Sequence, residues 1–320
     1  MRASPIRLGI SRCLLGDEVR FDGGHKQDQF LTDVLGRYVE WVPVCPEVEA
    51  GLGTPREPMR LVGNPWRPRL MTITSNRDHT DALETMIEGR LKSLHDLSGF
   101  VFKKGSPSCG PERVPVYTVQ GMRSHNRAGI FAKAFMEQFP LIPVEEEGRL
   151  CDSSLRENFI ERVFCYYRFK ELIRNGVTRQ ALIRFHTIHK YLLMAHSQQH
   201  YETMGRLVGQ AERYRLKDLA LKYGGHFMRA LTMKATVRKH VNVLQHILGY
   251  FKNRLKTREK AELLGLIDDY YRGLSPLIVP LTLIKHYVLL FDIDYIRDQV
   301  YLNPHPKELM LRNHVYEDPW

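Results

Sequence analysis

The sequence predicts two domains of different fold class: a Rossmann-like α/β domain with a parallel sheet over residues 1–150, then an all-α helical domain over residues 151–320. Three observations support this. The chain has 320 residues, and one domain usually takes about 100–200. Short apolar runs alternate with amphipathic stretches in the first half. Helical periodicity continues through the second half almost without interruption.

Four apolar runs in the first half predict strands, at residues 6–10, 39–44, 99–102 and 141–144. Amphipathic stretches between them predict helices at about 26–37, 79–95 and 128–139. Strands that alternate with helices indicate βαβ units and therefore a parallel sheet. The segment 51–69 is rich in proline and glycine, and we expect an irregular loop there.

The second half predicts a series of helices, at about 154–173, 178–195, 198–222, 227–254, 257–272 and 280–299. Glycine-containing segments predict breaks in this series at Asn175-Gly176, Gly224-Gly225 and Gly273–Pro276. The boundary between the two domains is expected near residue 150.

Composition excludes several classes of protein. Hydrophobic residues make up 43% and charged residues 26% of the chain, which argues against disorder. No apolar run reaches the ~18–20 residues of a membrane span, so we expect no membrane partner. The N-terminus lacks the apolar stretch of a secretory signal, so a cytoplasmic protein is expected. The five widely spaced cysteines are then expected to be ligands or free thiols rather than disulfides.

The basic charge of the chain is concentrated in its second half. The net charge is +11, yet residues 1–150 hold 20 basic and 19 acidic residues. Residues 151–320 hold 27 basic and 17 acidic residues, and 161–260 alone hold 21 against 6. A concentrated basic field attracts polyanions and favours nucleic acid as partner. The alternative is a solvated helical surface.

Basic residues that recur at helical spacing are the candidate RNA-phosphate contacts: Lys190, Arg229, Lys234, Arg238, Lys239, Lys252, Arg254 and Lys256. Aromatic residues in the same region could stack on bases, although such residues more often belong to a core: Tyr191, Tyr201, Tyr250 and Phe251. Four histidines resemble a metal-ligand series, but packing, capping or RNA contacts are favoured for them: His186, His189, His196 and His200.

Three cysteines each follow a different predicted strand, namely Cys13, Cys45 and Cys109. Because ligands bind beyond the carboxyl ends of parallel strands, these cysteines can converge there. Thiolates suit an iron–sulfur cluster, zinc or copper(I). A structural zinc site usually has four ligands, whereas three cysteines leave one iron of a cluster open. The alternative is three buried cysteines without a metal. Cys151 and Cys165 are expected to be non-ligands.

Polar residues lie next to these cysteines in the sequence. Glu47 follows Cys45 by two residues, and Ser106 and Ser108 precede Cys109. The residues alone favour ordinary roles for them, in loops, turns and helix caps. Arg56 is expected to form an ion pair with a nearby carboxylate rather than bind phosphate.

The three cysteine motifs carry a family resemblance. They are Cys13-Leu14-Leu15-Gly16, Cys45-Pro46-Glu47 followed by Gly51–Arg56, and Ser106-Pro107-Ser108-Cys109-Gly110. In this order they resemble the TudS thiouracil desulfidase family. The second half resembles the helical domain fused to TudS-type domains in the RudS group. The matching stretches there are Lys190-Tyr191, His196-Ser197 and residues 239–246.

The resemblance implies a 4Fe-4S cluster held by Cys13, Cys45 and Cys109, with one iron not bound by protein. It implies Glu47 as catalytic acid/base, Ser106 as a catalytic contact and Ser108 as support of the cluster loop. The implied reaction converts 4-thiouridine in tRNA to uridine with release of sulfide and no net redox change.

Three alternatives to this function stay open at this point. The first is desulfidation of free thiouracil, and the second is a non-enzymatic iron–sulfur RNA-binding sensor. The third is a zinc-stabilised α/β protein. The oligomeric state is not predicted.

Overall fold

The computed structural model describes residues 5–315, which form two compact units that divide between Asp152 and Ser153. The strands of the first unit are β1 (Arg7–Ser11), β2 (Glu40–Val44), β3 (Met59–Val62), β4 (Arg69–Thr72), β5 (Phe100–Phe102), β6 (Val114–Tyr117), β7 (Arg123–Arg127) and β8 (Val144–Glu146). Its helices are α1 (Pro46–Glu49), α2 (Thr80–Leu91) and α3 (Ile130–Gln138). The predicted fold class, a parallel-sheet α/β region followed by a helical region, is confirmed.

A parallel sheet in the order β2-β1-β5-β8 forms the centre of the first unit. Leu8, Gly9, Ile10 and Ser11 are all buried, as expected for a central strand whose two faces are both covered. Gly9 lies so close to Phe100 on the neighbouring strand that a Cβ atom there would meet its ring at 2.1 Å. In this sheet β2 lies on one side of β1, and β5, which comes later in the sequence, lies on the other side. The carboxyl end of β1 is therefore a switch point, where ligands bind in such sheets.

A second sheet, in the order β4-β3-β6-β7, was not predicted. Only β3 and β6 are parallel in it. The expected irregular loop at 51–69 is wrong for β3, because Pro58 and Pro68 come immediately before β3 and β4 and do not interrupt them. Leu61 and Leu70 pair across the two strands and are fully buried, which anchors the sheet.

The second unit is helical. Its helices are α4 (Ser153–Arg174), α5 (Arg179–Ile188), α6 (Lys190–His196), α7 (Gln198–Gly209), α8 (Leu216–Thr232), α9 (Val237–Leu248), α10 (Thr257–Tyr271), α11 (Ile278–Leu290) and α12 (Asp294–Arg297). Thr178, Ser197 and Thr236 cap the starts of α5, α7 and α9, because each side chain accepts a hydrogen bond from a backbone N–H three residues later. Across residues 5–315, no helix combines the length and apolarity needed to cross a membrane.

The predicted break at Gly224-Gly225 is wrong, since α8 runs through both glycines. Gly224 instead serves helix packing. A Cβ atom at this position would lie 2.5 Å from the ring of Phe169, so only glycine allows the two helices to approach this closely. The other predicted breaks are confirmed: Gly176 and Gly273 follow α4 and α10 with left-handed backbone conformations.

A buried network of charged side chains lies within the helical unit. Arg312 Nε donates to Glu157 Oε1 at 3.1 Å, and its Nη2 donates to Glu161 Oε2 at 3.2 Å. His196 Nε2 lies 2.5 Å from Glu161 Oε1. The cationic neighbours outweigh the effect of burial on Glu161 and lower its pKa to about 2.

Candidate active site at the carboxyl edge of the parallel sheet

Cys13, Cys45 and Cys109 lie beyond three adjacent strands of the parallel sheet. Cys13 is in the 3-10 turn that follows β1, Cys45 joins β2 to α1, and Cys109 lies within the loop between β5 and β6. All three are buried and line one cavity of about 370 Å³. Pro46, whose fixed φ suits a first helical position, starts α1 immediately after Cys45. The sheet order thus brings together residues that are far apart in the sequence.

The cavity combines an apolar wall with a basic lining. The apolar side chains are Val19, Phe21, Val44, Pro58, Met59 and Pro107. The basic side chains are Arg12, Arg20, Lys26, Arg56, Lys103 and Lys104. Most of these cations have carboxylate partners within the unit, such as Asp17 for Arg12 and Asp22 for Arg20. A cavity of this size, with an apolar wall and several polar groups, can hold a small organic molecule.

Burial holds the three thiols in their neutral form. It raises the pKa of Cys13 to about 11 and that of Cys45 to about 12. Burial also raises the pKa of Cys109 well above its usual range. The nearby Glu47 carboxylate raises all three further. Binding of a metal group here must therefore displace protons from thiols that would otherwise keep them at neutral pH.

Glu47 is a buried carboxylate, 7% exposed, surrounded by three polar groups. Cys45 Sγ lies 3.6 Å from its Oε2 as a donor, and Arg56 Nη2 lies 3.7 Å from the same oxygen. Ser106 Oγ donates to Oε1 at 3.4 Å. The carboxylate is therefore held at the cavity wall next to one of the cysteines. In this position it can exchange a proton with a molecule bound in the cavity.

Arg56 is fixed from two sides while it faces Glu47. Its Nη1 donates to the carbonyl oxygens of Val19 at 3.1 Å and Gly53 at 2.9 Å. The side chain is only 9% exposed. The prediction that Arg56 pairs with a carboxylate is confirmed, and the partner is Glu47.

The two serines before Cys109 occupy different environments. Ser106 Oγ accepts hydrogen bonds from the backbone N–H of Ser108 at 3.2 Å and of Cys109 at 3.0 Å, and it lines the cavity. Ser108 is fully buried and does not line the cavity. Its hydroxyl has no hydrogen-bond partner among residues 5–315. Ser106 thus shapes the loop and faces the cavity at once.

Two residues of the site were missed by sequence reasoning. Ser11 ends β1, hydrogen-bonds the sulfur of Cys109 and accepts the backbone N–H of Lys103 at 2.9 Å. Lys103 pairs with Glu147, and its charge lowers the pKa of Cys13 against the effect of burial. Their signal in the sequence was their place at the ends of the first and third strands, where neighbouring loops meet.

The helical unit gathers some of the candidate RNA contacts. Lys190, Arg238 and Lys239 line one open basin of about 630 Å³. The other candidates are exposed and lie outside its lining, namely Arg229, Lys234, Lys252, Arg254 and Lys256. Among the candidate aromatic residues, Tyr201 lines the basin, Tyr191 and Phe251 are core residues, and Tyr250 stacks on Tyr295.

The four-histidine series does not converge. His189 contacts the carbonyl of Phe185, whereas His196 pairs with Glu161. His200 Nδ1 lies 2.9 Å from Ser197 Oγ. In the part of the chain that the structure describes, no three His, Cys, Asp or Glu side chains form a group that could hold a single metal ion. The favoured packing and capping contacts therefore account for these histidines.

Comparison with known proteins assigns both units. A family model described as 2-thiouracil desulfurase matches residues 8–147, and a model described as a protein of unknown function, DUF1722, matches residues 190–306. YbgA of Escherichia coli (strain K12), an uncharacterized protein, is 35% identical over 153 residues, which are 48% of this chain and 90% of YbgA. The chain belongs to the family of 2-thiouracil desulfurase domains fused to a DUF1722 domain. The resemblance to TudS-type fused proteins is thereby confirmed.

Two further relatives match parts of this desulfurase-family chain. The uncharacterized protein YbbK of Bacillus subtilis (strain 168) is 31% identical over 110 residues, which are 32% of this chain and 71% of YbbK. The solved structure of a [4Fe-4S]-dependent thiouracil desulfidase, TudS, is 29% identical, with a TM-score of 0.38. It covers 46% of this chain and 93% of its own. The assignment of the first unit rests on the 2-thiouracil desulfurase family model, which matches residues 8–147.

Proposed function

We propose that this protein removes sulfur from 4-thiouridine in tRNA, giving uridine and sulfide. One observation carries the proposal: the three cysteines, Glu47 and Ser106 of a desulfurase-family domain converge on a single cavity. The reaction exchanges a C=S bond for a C=O bond with one water molecule. Sulfur leaves as hydrogen sulfide, so no oxidant or reductant is needed.

The three cysteines fit a 4Fe-4S cluster better than a single metal ion. They line one cavity, yet among residues 5–315 they do not form a group that could hold one ion. A cluster spaces its thiolate ligands over several irons and suits such a set. We propose that Cys13, Cys45 and Cys109 hold the cluster and leave its fourth iron without a protein ligand. When bound, this group would supply a Lewis acid for a thiocarbonyl sulfur.

Glu47 and Ser106 supply the proton transfer in this proposal. Glu47 takes a proton from the water that attacks the ring carbon and returns one to the departing sulfur. Ser106 holds the carboxylate in orientation, because its hydroxyl donates to Glu47 Oε1. This hydroxyl has one proton, so with substrate bound it donates either to Glu47 or to the substrate. Arg56 keeps the second carboxylate oxygen in place. Ser108 supports the loop of Cys109 through its backbone, since its carbonyl accepts the N–H of Ala132.

The basic helical unit favours tRNA over a free thiobase as substrate. Exposed cations of this unit can bind RNA phosphates, which a free base lacks. A stacked nucleotide must also leave its stack before its ring reaches a cavity. Desulfidation of free thiouracil is the alternative within the enzyme class. A non-enzymatic iron–sulfur RNA-binding sensor is the alternative outside it.

Anaerobic incubation of cluster-reconstituted protein with bulk tRNA tests the proposal. Loss of 4-thiouridine absorbance with release of sulfide is expected for the wild type and for Cys151→Ala, which removes an exposed thiol. Cys109→Ala should lose the activity and the cluster absorbance together. Glu47→Gln should keep the cluster while activity falls about 10²- to 10⁴-fold.

Two other outcomes decide between the alternatives. Consumption of free thiouracil without any change in tRNA moves the substrate to a small molecule. Binding of tRNA without consumption of either thiolated substrate favours the sensor, and Glu47→Gln would then change nothing measurable.

A further inference from the structure

The basin of the helical unit is lined by residues of α6, α7 and α9. Its eight lining residues are Lys190, Met194, Gln198, Tyr201, Arg238, Lys239, Asn242 and His246. Its volume of about 630 Å³ falls within the range of small-molecule sites. None of these eight residues is acidic. The two sequence stretches that meet here, 190–201 and 238–246, lie far apart along the chain.

Among residues 5–315, no carboxylate forms an ion pair with the three cations of the basin, Lys190, Arg238 and Lys239. Lys239 Nζ donates to the carbonyl oxygens of His196 at 2.6 Å and Lys234 at 3.4 Å, so neutral groups hold it in place. Lys190 Nζ lies 5.2 Å from the ring centroid of Tyr191. Within residues 5–315, the ion pairs of the helical unit involve other cations, such as Arg179 with Glu212. An anion that enters the basin therefore meets three cations that have no carboxylate partner in the described part of the chain.

The basin also offers a flat ring and polar side chains beside these cations. The ring of Tyr201 stacks on His186, with centroids 5.4 Å apart and planes 7° from parallel. Tyr201 therefore packs its ring against His186 while it lines the basin. Gln198, Asn242 and His246 are exposed and can exchange hydrogen bonds with the edge of a base. A ring for stacking, cations for phosphate and amides for base edges together match one nucleotide.

We propose that this basin holds one unpaired nucleotide of an RNA strand. Lys190 and Arg238 bind its phosphate, and Tyr201 stacks on its base. The inference deepens the proposed function, because it names where the helical unit grips its RNA. It specifies single-stranded RNA, whereas a surface that only attracts phosphates would bind a duplex as well. An acidic peptide would use the cations but not the ring.

Fluorescence anisotropy on the full-length protein tests this site with labelled, unmodified hexauridylate and a matched RNA duplex. The single strand is expected to bind more tightly than the duplex. Tyr201→Ala should raise the Kd for hexauridylate about tenfold, while Tyr201→Phe stays within about twofold. Lys190→Ala and Arg238→Ala should each lower the slope of log Kd against log salt by about 0.7.

Two variants serve as controls. Arg215→Ala with Lys217→Ala removes two exposed cations of the same unit outside the basin, and Kd should change less than in the basin variants. Asn242→Asp places a carboxylate at an exposed basin position without disturbing the core, and it should weaken binding several-fold. This variant keeps the test decisive if Tyr201→Ala does not fold.

The proposal is overturned if the duplex binds as tightly as the single strand and Asn242→Asp leaves the Kd unchanged. The proposal is also overturned if polyglutamate displaces labelled hexauridylate at concentrations as low as those at which unlabelled RNA does. That result would indicate a site for an acidic peptide. Because the probe carries no sulfur, the result is independent of desulfidation. If the basin variants lose hexauridylate binding but the wild-type protein shows no desulfidase activity, the proposed function is refuted and the nucleotide site is retained.

Discussion

Arg56 Nη2 lies 3.7 Å from Glu47 Oε2, inside the cavity that the three cysteines line. The guanidinium is itself fixed by the carbonyl oxygens of Val19 and Gly53. A charged group held this way fixes the orientation of the carboxylate, although it need not touch the substrate. Arg56 is thus a positioning residue for Glu47.

Replacement of Arg56 by methionine is expected to lower kcat on 4-thiouridine tRNA by about 10²-fold, because a misplaced carboxylate transfers protons poorly. KM and the iron content should change little. Steady-state kinetics and iron analysis of the same preparation check this. Arg113→Met is the matched control, since it removes an exposed arginine that pairs with Glu112. Wild-type kcat in Arg56→Met would show that Glu47 needs no partner.

Gly9→Ala is expected to destabilise the first unit by about 1–3 kcal/mol, because the added methyl overpacks a tight contact. The new carbon would meet the Phe100 ring at 2.1 Å, inside a central strand pair. Urea unfolding measures the change. Gly89→Ala provides the contrast: it lies in α2 with open space around its Cβ position, so stability should rise by about 0.5–1 kcal/mol. Equal stability of the two variants would contradict the expected crowding.

Arg312→Met is expected to destabilise the helical unit by about 3–5 kcal/mol, because it removes the guanidinium that two buried carboxylates share. Those carboxylates belong to Glu157 and Glu161. Denaturant unfolding followed by circular dichroism checks this. Arg272→Met breaks an exposed pair with Asp268 and should cost at most about 1 kcal/mol. If Arg312→Met lowers the free energy of unfolding no more than Arg272→Met does, the buried network does not stabilise the helical unit.

The helical unit should lose stability as the pH falls below about 6.5. Burial lowers the pKa of His189 and His240 to about 3, and that of His186 and His305 to about 4. Between about pH 6.5 and these lower values, the histidines bind protons in the unfolded chain but not in the folded unit. Each histidine therefore lowers the free energy of unfolding by about 1.4 kcal/mol for every pH unit of the decrease.

At still lower pH a carboxylate adds to this loss. The folded pKa of Glu161 is about 2, below its unfolded value, so its contribution is lost as the pH falls from about 4.3 towards 2. Urea titrations at pH 7.5, 6.0 and 5.0 measure the slope for the histidines. A free energy of unfolding that stays constant from pH 7.5 to 5.0 would refute the expectation.

The parallel sheet was predictable because its strands are continuous apolar runs, and Cys13, Cys45 and Cys109 each follow one of them. The topology of such a sheet then places their loops at one edge. The second sheet was not predictable to the same degree. Its strands are short and stand between prolines, so turn signals mask the pairing of Leu61 with Leu70. That pairing depends on tertiary contacts, which local composition does not reveal.

The convergence of Lys190 and Arg238 likewise depends on how α6 packs against α9, which spacing within each helix does not determine. The sequence indicated basic helices but not which cations share a surface. At Gly224 the sequence predicted a helix break that does not exist. A pair of glycines usually indicates the end of a helix, yet here α8 continues and the missing side chain allows the close approach of Phe169.

Ser106 has a consequence for how the site is assembled. Its single hydroxyl accepts the backbone N–H of Cys109 and donates to the carboxylate of Glu47. The position of the Cys109 backbone and the orientation of the Glu47 carboxylate therefore both depend on one atom, Ser106 Oγ. A shift of that loop by one residue would disorient both together. Substitutions in this loop must therefore preserve two things, the position of the Cys109 thiol for metal binding and the orientation of Glu47 for proton transfer.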